Sequence, residues 1–238
     1  MSSHILGSAD LAQFIDYQFM RAELTKPELE RCVEEAARAG VYAVIVPPNM
    51  LPINAPEGLV VGTAVGFPSG NHRTAIKVAE AEQAVADGAT EVDLVIDVGL
   101  AKERDFDAVR AEVEAVRAVV PKPLLLKVCV ESAALSDHEL VESCRAIADA
   151  GADFITTSTG MHPAGGATVY AVRAIADTVG GRVGVKAAGG VLTCGEALEL
   201  IEAGATRIGV SSVEAVLEGF GPEGFFASEE KSEEAVAV

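Results

Sequence analysis

The stretch Ala150-Gly151-Ala152-Asp153-Phe154-Ile155-Thr156-Thr157-Ser158-Thr159-Gly160 carries a helix end into a strand, and the strand into a loop of small hydroxyl residues. Gly151 stands where a left-handed residue closes a helix at least cost, and residues 154–158 form a short β-rich run. The same junction recurs at Gly40, Gly88 and Gly204, and three of the four glycines sit in Ala-Gly-Ala or Asp-Gly-Ala. A repeating helix-glycine-strand unit is the period of a βα architecture.

Outward from this unit, strand candidates fall at 14–17, 42–47, 59–67, 91–98, 124–130, 154–158, 182–187 and 207–210. Several are continuously apolar, as expected when helices cover one side of a parallel strand and a barrel interior the other. Three helix starts are marked by capping boxes, at Thr25 with Glu28, Ser136 with Glu139 and Thr193 with Glu196. Eight strands in strict alternation with seven or eight helices predict an α/β fold, a single-domain (β/α)8 TIM barrel over 1–225. A doubly wound open sheet is the competing reading, weakened because no Gly-x-Gly-x-x-Gly follows the first strand. Residues 226–238 read as an acidic, solvated tail.

The chain has 238 residues, half of them apolar, with 36 acidic against 18 basic side chains and a formal net charge of −18. Seven of the basic residues are lysine. A phosphate backbone needs a basic surface, so nucleic acid is not an expected partner. Such an acidic, lysine-poor surface is what halophilic proteins use to stay dispersed in salt; an ordinary acidic enzyme with an acidic tail is the alternative. No apolar run approaches bilayer length and residues 1–10 lack the pattern of a signal peptide, so no membrane is expected and a cytoplasmic location is. Cys32, Cys129, Cys144 and Cys194 lack Cys-x-x-Cys spacing and read as core thiols. Neither a metal nor a cofactor is implied.

Asp93, Lys127 and Lys186 each interrupt an apolar strand. Buried charges need partners, so inward side chains from the fourth, fifth and seventh strands would compensate one another and be poised for proton transfer. A structural salt bridge filling the barrel is the other reading. Thr157-Ser158-Thr159-Gly160, Ala188-Gly189-Gly190 and Gly209-Val210-Ser211-Ser212 end three successive strands in small hydrogen-bonding residues, where barrels often hold a phosphate. Three successive strands ending this way is more than turn chemistry needs; plain turns are the alternative reading.

Phe14-Ile15-Asp16, Val65-Gly66-Phe67-Pro68-Ser69-Gly70, Glu91-Val92-Asp93-Leu94-Val95-Ile96, Leu126-Lys127-Val128, Phe154-Ile155 with Thr157-Ser158-Thr159-Gly160, Lys186-Ala187-Ala188-Gly189-Gly190 and Gly209-Val210-Ser211-Ser212 together resemble the 2-deoxyribose-5-phosphate aldolases, over about residues 10–220. These are class I aldolases of carbohydrate or deoxynucleotide catabolism. The resemblance implies a Schiff-base lysine on the sixth strand, a second lysine on the seventh that lowers its pKa, and a fourth-strand aspartate in proton relay. Asp93 and Lys186 match the last two, but Thr156 stands where the family has its nucleophile. Asp16-Tyr17-Gln18 also replaces the usual Asp-His-Thr, and Leu192 stands where an arginine is common.

These residues predict an aldolase-type lyase that acts on a small aldehyde or phosphosugar, with Lys186, Asp93 and Lys127 as catalytic groups and Lys186 as the amine. Asp16, Thr156, Thr157, Gly160, Gly189, Gly190, Gly209, Ser211 and Ser212 are the expected substrate contacts, and a homodimer is the expected assembly. The alternatives are non-covalent enolisation or isomerisation by Asp93 and Lys186, and a non-catalytic ligand-binding paralogue.

Overall fold

The computed structural model describes residues 7–220. The tail expected over 226–238 and the boundary at 225 lie outside the described residues. Strands β1 (Ile15–Gln18), β2 (Ala43–Val46), β3 (Val60–Val65), β4 (Glu91–Val95), β5 (Leu125–Cys129), β6 (Phe154–Thr156), β7 (Gly184–Ala188) and β8 (Arg207–Val210) pair in sequence order, all parallel, and β8 closes on β1. The fold is a (β/α)8 barrel. β8 matches its expected run, β1 lies one residue later than expected, and the other six strands are shorter because the flanking residues already belong to loops.

Helices α1 (Ser8–Ala12), α2 (Lys26–Ala39), α3 (Thr74–Ala86), α4 (Val98–Glu103), α5 (Phe106–Val119), α6 (Asp137–Asp149), α7 (Val169–Val179), α8 (Cys194–Glu202) and α9 (Val213–Leu217) surround the strands. The expected alternation fails once. Between β2 and β3 the chain makes only a 3-10 turn, Pro48–Met50. Pro47, Pro48, Pro52 and Pro56 fall within ten residues there, and each removes a backbone donor that a helix needs. The gap between β4 and β5 holds two helices, α4 and α5.

All three capping boxes form, so each glutamate carboxylate accepts from the backbone N–H of its cap residue. Gly40, Gly88, Gly151 and Gly204 have φ of +67°, +96°, +85° and +117°, the conformation that lets the chain leave a helix and turn into the next strand.

Two cores result. Outward strand residues such as Val44, Leu94, Leu126, Ile155, Ala187 and Ile208 are fully buried against Val33, Val113, Ile147, Ile175 and Leu200 of the helices. The barrel interior is different. Its inward positions include Asp16, Glu91, Asp93, Lys127, Lys186 and Arg207, all buried. Apolar runs that looked continuous therefore alternate, with the apolar set outward and charge placed where barrels usually pack Val, Ile and Leu.

Candidate active site

The charged interior forms one network. Lys127 donates to Asp16 at 2.6 Å, and its ammonium also lies 2.6 Å from Glu91 and 3.2 Å from Asp93 as charge contacts without hydrogen-bond alignment. Lys186 donates to Asp93 at 2.6 Å and lies 2.7 Å from Asp16. Arg207 donates to Asp16 at 2.8 Å, and its guanidinium stacks 3.7 Å above the Tyr42 ring. Three carboxylates thus face three cations across strands β1, β4, β5, β7 and β8.

Burial alone would push Asp16 toward its neutral form, but Lys127, Lys186 and Arg207 more than offset it and hold the carboxyl well below the usual carboxylate range. For Lys127 burial disfavours the charge, and Asp16, Asp93 and Glu91 outweigh that and hold the amine above its ordinary range. Lys127 is therefore a fixed ammonium in this arrangement. Asp16 has both oxygens engaged and is fully buried, so its place is that of a shared counter-ion beneath the site rather than on its surface.

Above the network lies a space of about 30 Å³ lined by Gln18, Asp93, Cys129, Thr156, Ser158 and Thr159, with Met20 and Phe67 at its edge. Register places Thr156 opposite Lys186 on one side and Cys129 on the other, while Lys127 pairs with Phe154, two residues earlier on β6. Lys186 is thus the lysine level with the cavity and Lys127 lies below it. Both amines are fully buried; Asp93 is the carboxylate that meets the space. The Thr156 hydroxyl is buried, in a residue 4% exposed, and has no protein hydrogen-bond partner. An unpartnered buried hydroxyl costs about 1–3 kcal/mol, which a bound molecule's polar atom would recover. Burial and the nearby Glu131 carboxylate push the Cys129 thiol well above its ordinary range, so it stays a neutral wall.

The remaining expected contacts separate by role. Thr157 turns its hydroxyl to β7, donating to the Ala188 carbonyl and accepting from the Ala188 N–H, so it locks two strands together. Gly160 and Gly189 pack backbone to backbone, and a Cβ on Gly189 would lie 3.0 Å from the Gly160 nitrogen. Gly209 packs under Gln18, whose side-chain nitrogen leaves 2.9 Å for a Cβ there. Gly190 lines a surface groove whose charged groups are Glu196 and Glu199. Ser211 is exposed and Ser212 half-buried at the start of α9. Of the departures from the resemblance, Gln18 lines the cavity. Tyr17 instead faces outward, its hydroxyl donating to Glu35 on α2.

Three residues of the arrangement escaped the reading of the sequence. Glu91 lies two positions before Asp93, and Arg207 two before Gly209; the period of two could have placed both inward. Glu131 had no such signal. It sits just after β5 at φ +55°, ψ +56°, a left-handed conformation costly for a residue with a Cβ. Its carboxylate accepts from the Ser158 hydroxyl at 2.6 Å, the Thr159 hydroxyl at 2.5 Å and the Thr159 N–H at 3.1 Å. These bonds hold the loop that walls the cavity.

Comparison with known proteins agrees with this geometry. Residues 11–218 match the family described as DeoC/LacD family aldolase. Deoxyribose-phosphate aldolase of Corynebacterium diphtheriae is 53% identical, covering 89% of this chain and 97% of that protein. The protein of the same name from Nocardia farcinica is 54% identical, with coverage of 89% and 95%. Among solved structures, "QR15, an Aldolase" superposes with a TM-score of 0.82 at 36% identity, covering 89% of this chain and 96% of that one. The deoxyribose phosphate aldolase of Aeropyrum pernix, described as tetrameric, gives 0.78 at 28% identity with coverage of 90% and 92%. With the barrel, its inward carboxylates and lysines, and a family match over nearly all of the described residues, this chain belongs to the DeoC/LacD aldolase family.

Proposed function

We propose that this protein is an aldolase-type carbon-carbon lyase for a small aldehyde or phosphosugar, in which Lys186 replaces the missing sixth-strand lysine as the amine. The observation that carries the assignment is register: Lys186 stands opposite Thr156, at the level of the cavity, and donates to Asp93 at 2.6 Å. In this reading Asp93 takes the ammonium proton, the freed amine attacks the carbonyl carbon, and loss of water gives an imine that acts as the electron sink for carbon-carbon cleavage. Lys127 keeps the Asp93 site electrically balanced, and the Thr156 hydroxyl donates to the substrate oxygen. Gly160, Gly189, Gly190, Gly209, Ser211 and Ser212 border the path of the substrate's far end, and a homodimer is the assembly.

Turnover tests this directly. Lys186→Met should abolish cleavage of deoxyribose 5-phosphate and self-condensation of acetaldehyde together, whereas unchanged turnover in the folded variant would overturn the assignment.

A second reading is favoured by one observation: Asp93, not Lys186, meets the cavity. In it Asp93 abstracts a proton beside a carbonyl and Thr156 polarises the oxygen, with no covalent intermediate. Loss of turnover in Asp93→Asn with full retention in Lys186→Met would select it.

A further inference from the structure

Glu131 carries two costs at once. Its backbone is held in the left-handed region at φ +55°, ψ +56°, and its carboxylate is buried where all three of its donors are neutral. Holding the loop does not by itself require the charge. A glutamine would accept from the Ser158 hydroxyl and the Thr159 N–H with its oxygen, and would donate to the Thr159 oxygen with its nitrogen.

The difference between the two side chains lies in where the hydroxyl protons go. An ionised carboxylate only accepts, so Ser158 and Thr159 each direct their single proton at Glu131, at 2.6 Å and 2.5 Å, and bonds to a charged acceptor at such lengths are the strong ones. The other acceptor within reach of Ser158, the Gly165 carbonyl, lies 3.4 Å away. Backbone donors take one lone pair on each hydroxyl: the Gly160 N–H on Ser158 at 3.2 Å and the Met161 N–H on Thr159 at 3.1 Å. One lone pair on each remains. Both residues line the space above Asp93, but Ser158 is buried and Thr159 only half-buried, so the Thr159 oxygen is the one that a bound molecule meets. That space shares Met20, Ala64 and Phe67 with a groove of about 530 Å³ across the C-terminal rim of β1, β2 and β3, which leaves room for a molecule larger than the space itself.

We infer that Glu131 is a positioning residue that sets the polarity of the cavity wall: by drawing the Thr159 proton away from the cavity, it leaves the Thr159 oxygen as an acceptor toward the substrate. The wall then favours a group that donates and disfavours one that only accepts. The inference rests on the proposed reading only in taking the space above Asp93 as the substrate site, and it holds whether the chemistry uses Lys186 or Asp93 alone.

The test uses two unreactive, neutral amides that differ by one methyl group. Glycolamide ends in a hydroxyl that can donate, and methoxyacetamide in an ether that only accepts. Titration of the full chain, followed by NMR, should show glycolamide binding about five-fold tighter, the worth of one net hydrogen bond. Glu131→Gln keeps the volume and returns the Thr159 proton to the cavity, so methoxyacetamide should gain about five-fold while glycolamide changes by less than about two-fold. Loss of a merely structural contact would instead weaken both probes together. Thr159→Val removes the acceptor itself and should bring the two probes level, a second readout if Glu131→Gln does not fold. Equal binding or no glycolamide binding in the parent protein, a preference unchanged in either folded variant, or parallel weakening of both probes in Glu131→Gln would each overturn the inference. A protein that shows the switch but traps no aldehyde would keep Glu131 in this role and count against the amine reading alone.

Discussion

The lower half of the barrel and its mouth follow opposite rules. Below, every charge has a counter-charge: three carboxylates and three cations lie within contact distance, almost wholly out of water. Above, the walls are methionine, phenylalanine and proline, with a hydroxyl that no protein group satisfies. A lysine at position 156 would be a fourth cation facing three carboxylates, and its uncompensated charge would depress its own pKa. With threonine there three carboxylates face three cations, Lys127 is held as an ammonium group, and position 156 carries no charge. On the proposed reading the interior is electrically closed, and amine chemistry must draw a proton out of the Lys186–Asp93 ion pair.

The largest expected effect lies below. Lys127→Met would leave Asp16, Glu91 and Asp93 facing only Lys186 and Arg207, and removal of one partner from a buried network costs about 3–5 kcal/mol. Urea unfolding would measure it, and a loss under 1 kcal/mol would mean that water or a rearrangement compensates the site. Next comes pH. Asp16 is held below its ordinary value of 3.8, so its contribution is complete above about pH 4 and lost as pH falls further. Lys127 is held above its ordinary 10.5, so its contribution is complete below that value and lost as pH rises beyond it. The thermal midpoint should therefore form a plateau bounded by both limbs, and the Lys127→Met protein should lose the alkaline limb.

Much of this was legible before any coordinates. The four helix-closing glycines and three capping boxes act locally, so residues such as Gly151 and Ser136 announce their conformation in the sequence. Asp93, Lys127 and Lys186 stood out because a charge in an apolar strand must find a partner. What was not legible is what depends on contacts between distant segments. The prolines at 47, 48, 52 and 56, which cancelled a helix that alternation demanded, are by contrast a local signal that the sequence did carry. Tyr17 looked like part of the site but alternation turns it outward to Glu35. Glu131 carries its role through a backbone conformation and three hydrogen bonds that no neighbouring residue signals. The groove joins residues from 20 to 161 and has no sequence pattern at all.

Smaller effects sharpen the contrast at the mouth. Thr156→Lys should restore an amine of depressed pKa, read as a reducible imine with acetaldehyde at position 156 near neutral pH. A folded variant without that imine would show that the cavity has been rebuilt around the threonine. If the acidic surface is adapted to concentrated salt, the thermal midpoint should climb by several degrees from low to molar KCl, and a flat response would leave an ordinary acidic protein. Thr156→Val keeps the volume and removes the unpartnered hydroxyl, so it should be neutral or stabilising by up to about 1 kcal/mol. A loss of more than 1 kcal/mol would mean that the hydroxyl already has a tightly held partner.

The central claim is that the amine chemistry of this family has moved one strand along, and reductive trapping on the unmodified protein tests it most directly. The chain is incubated with acetaldehyde, reduced with borohydride, and mapped by mass spectrometry against an acid-unfolded control that reports indiscriminate labelling. The account predicts an adduct on Lys186 that depends on the native fold. An adduct on Lys127, or none on either buried lysine, would contradict it and leave Asp93 as the group around which the chemistry turns.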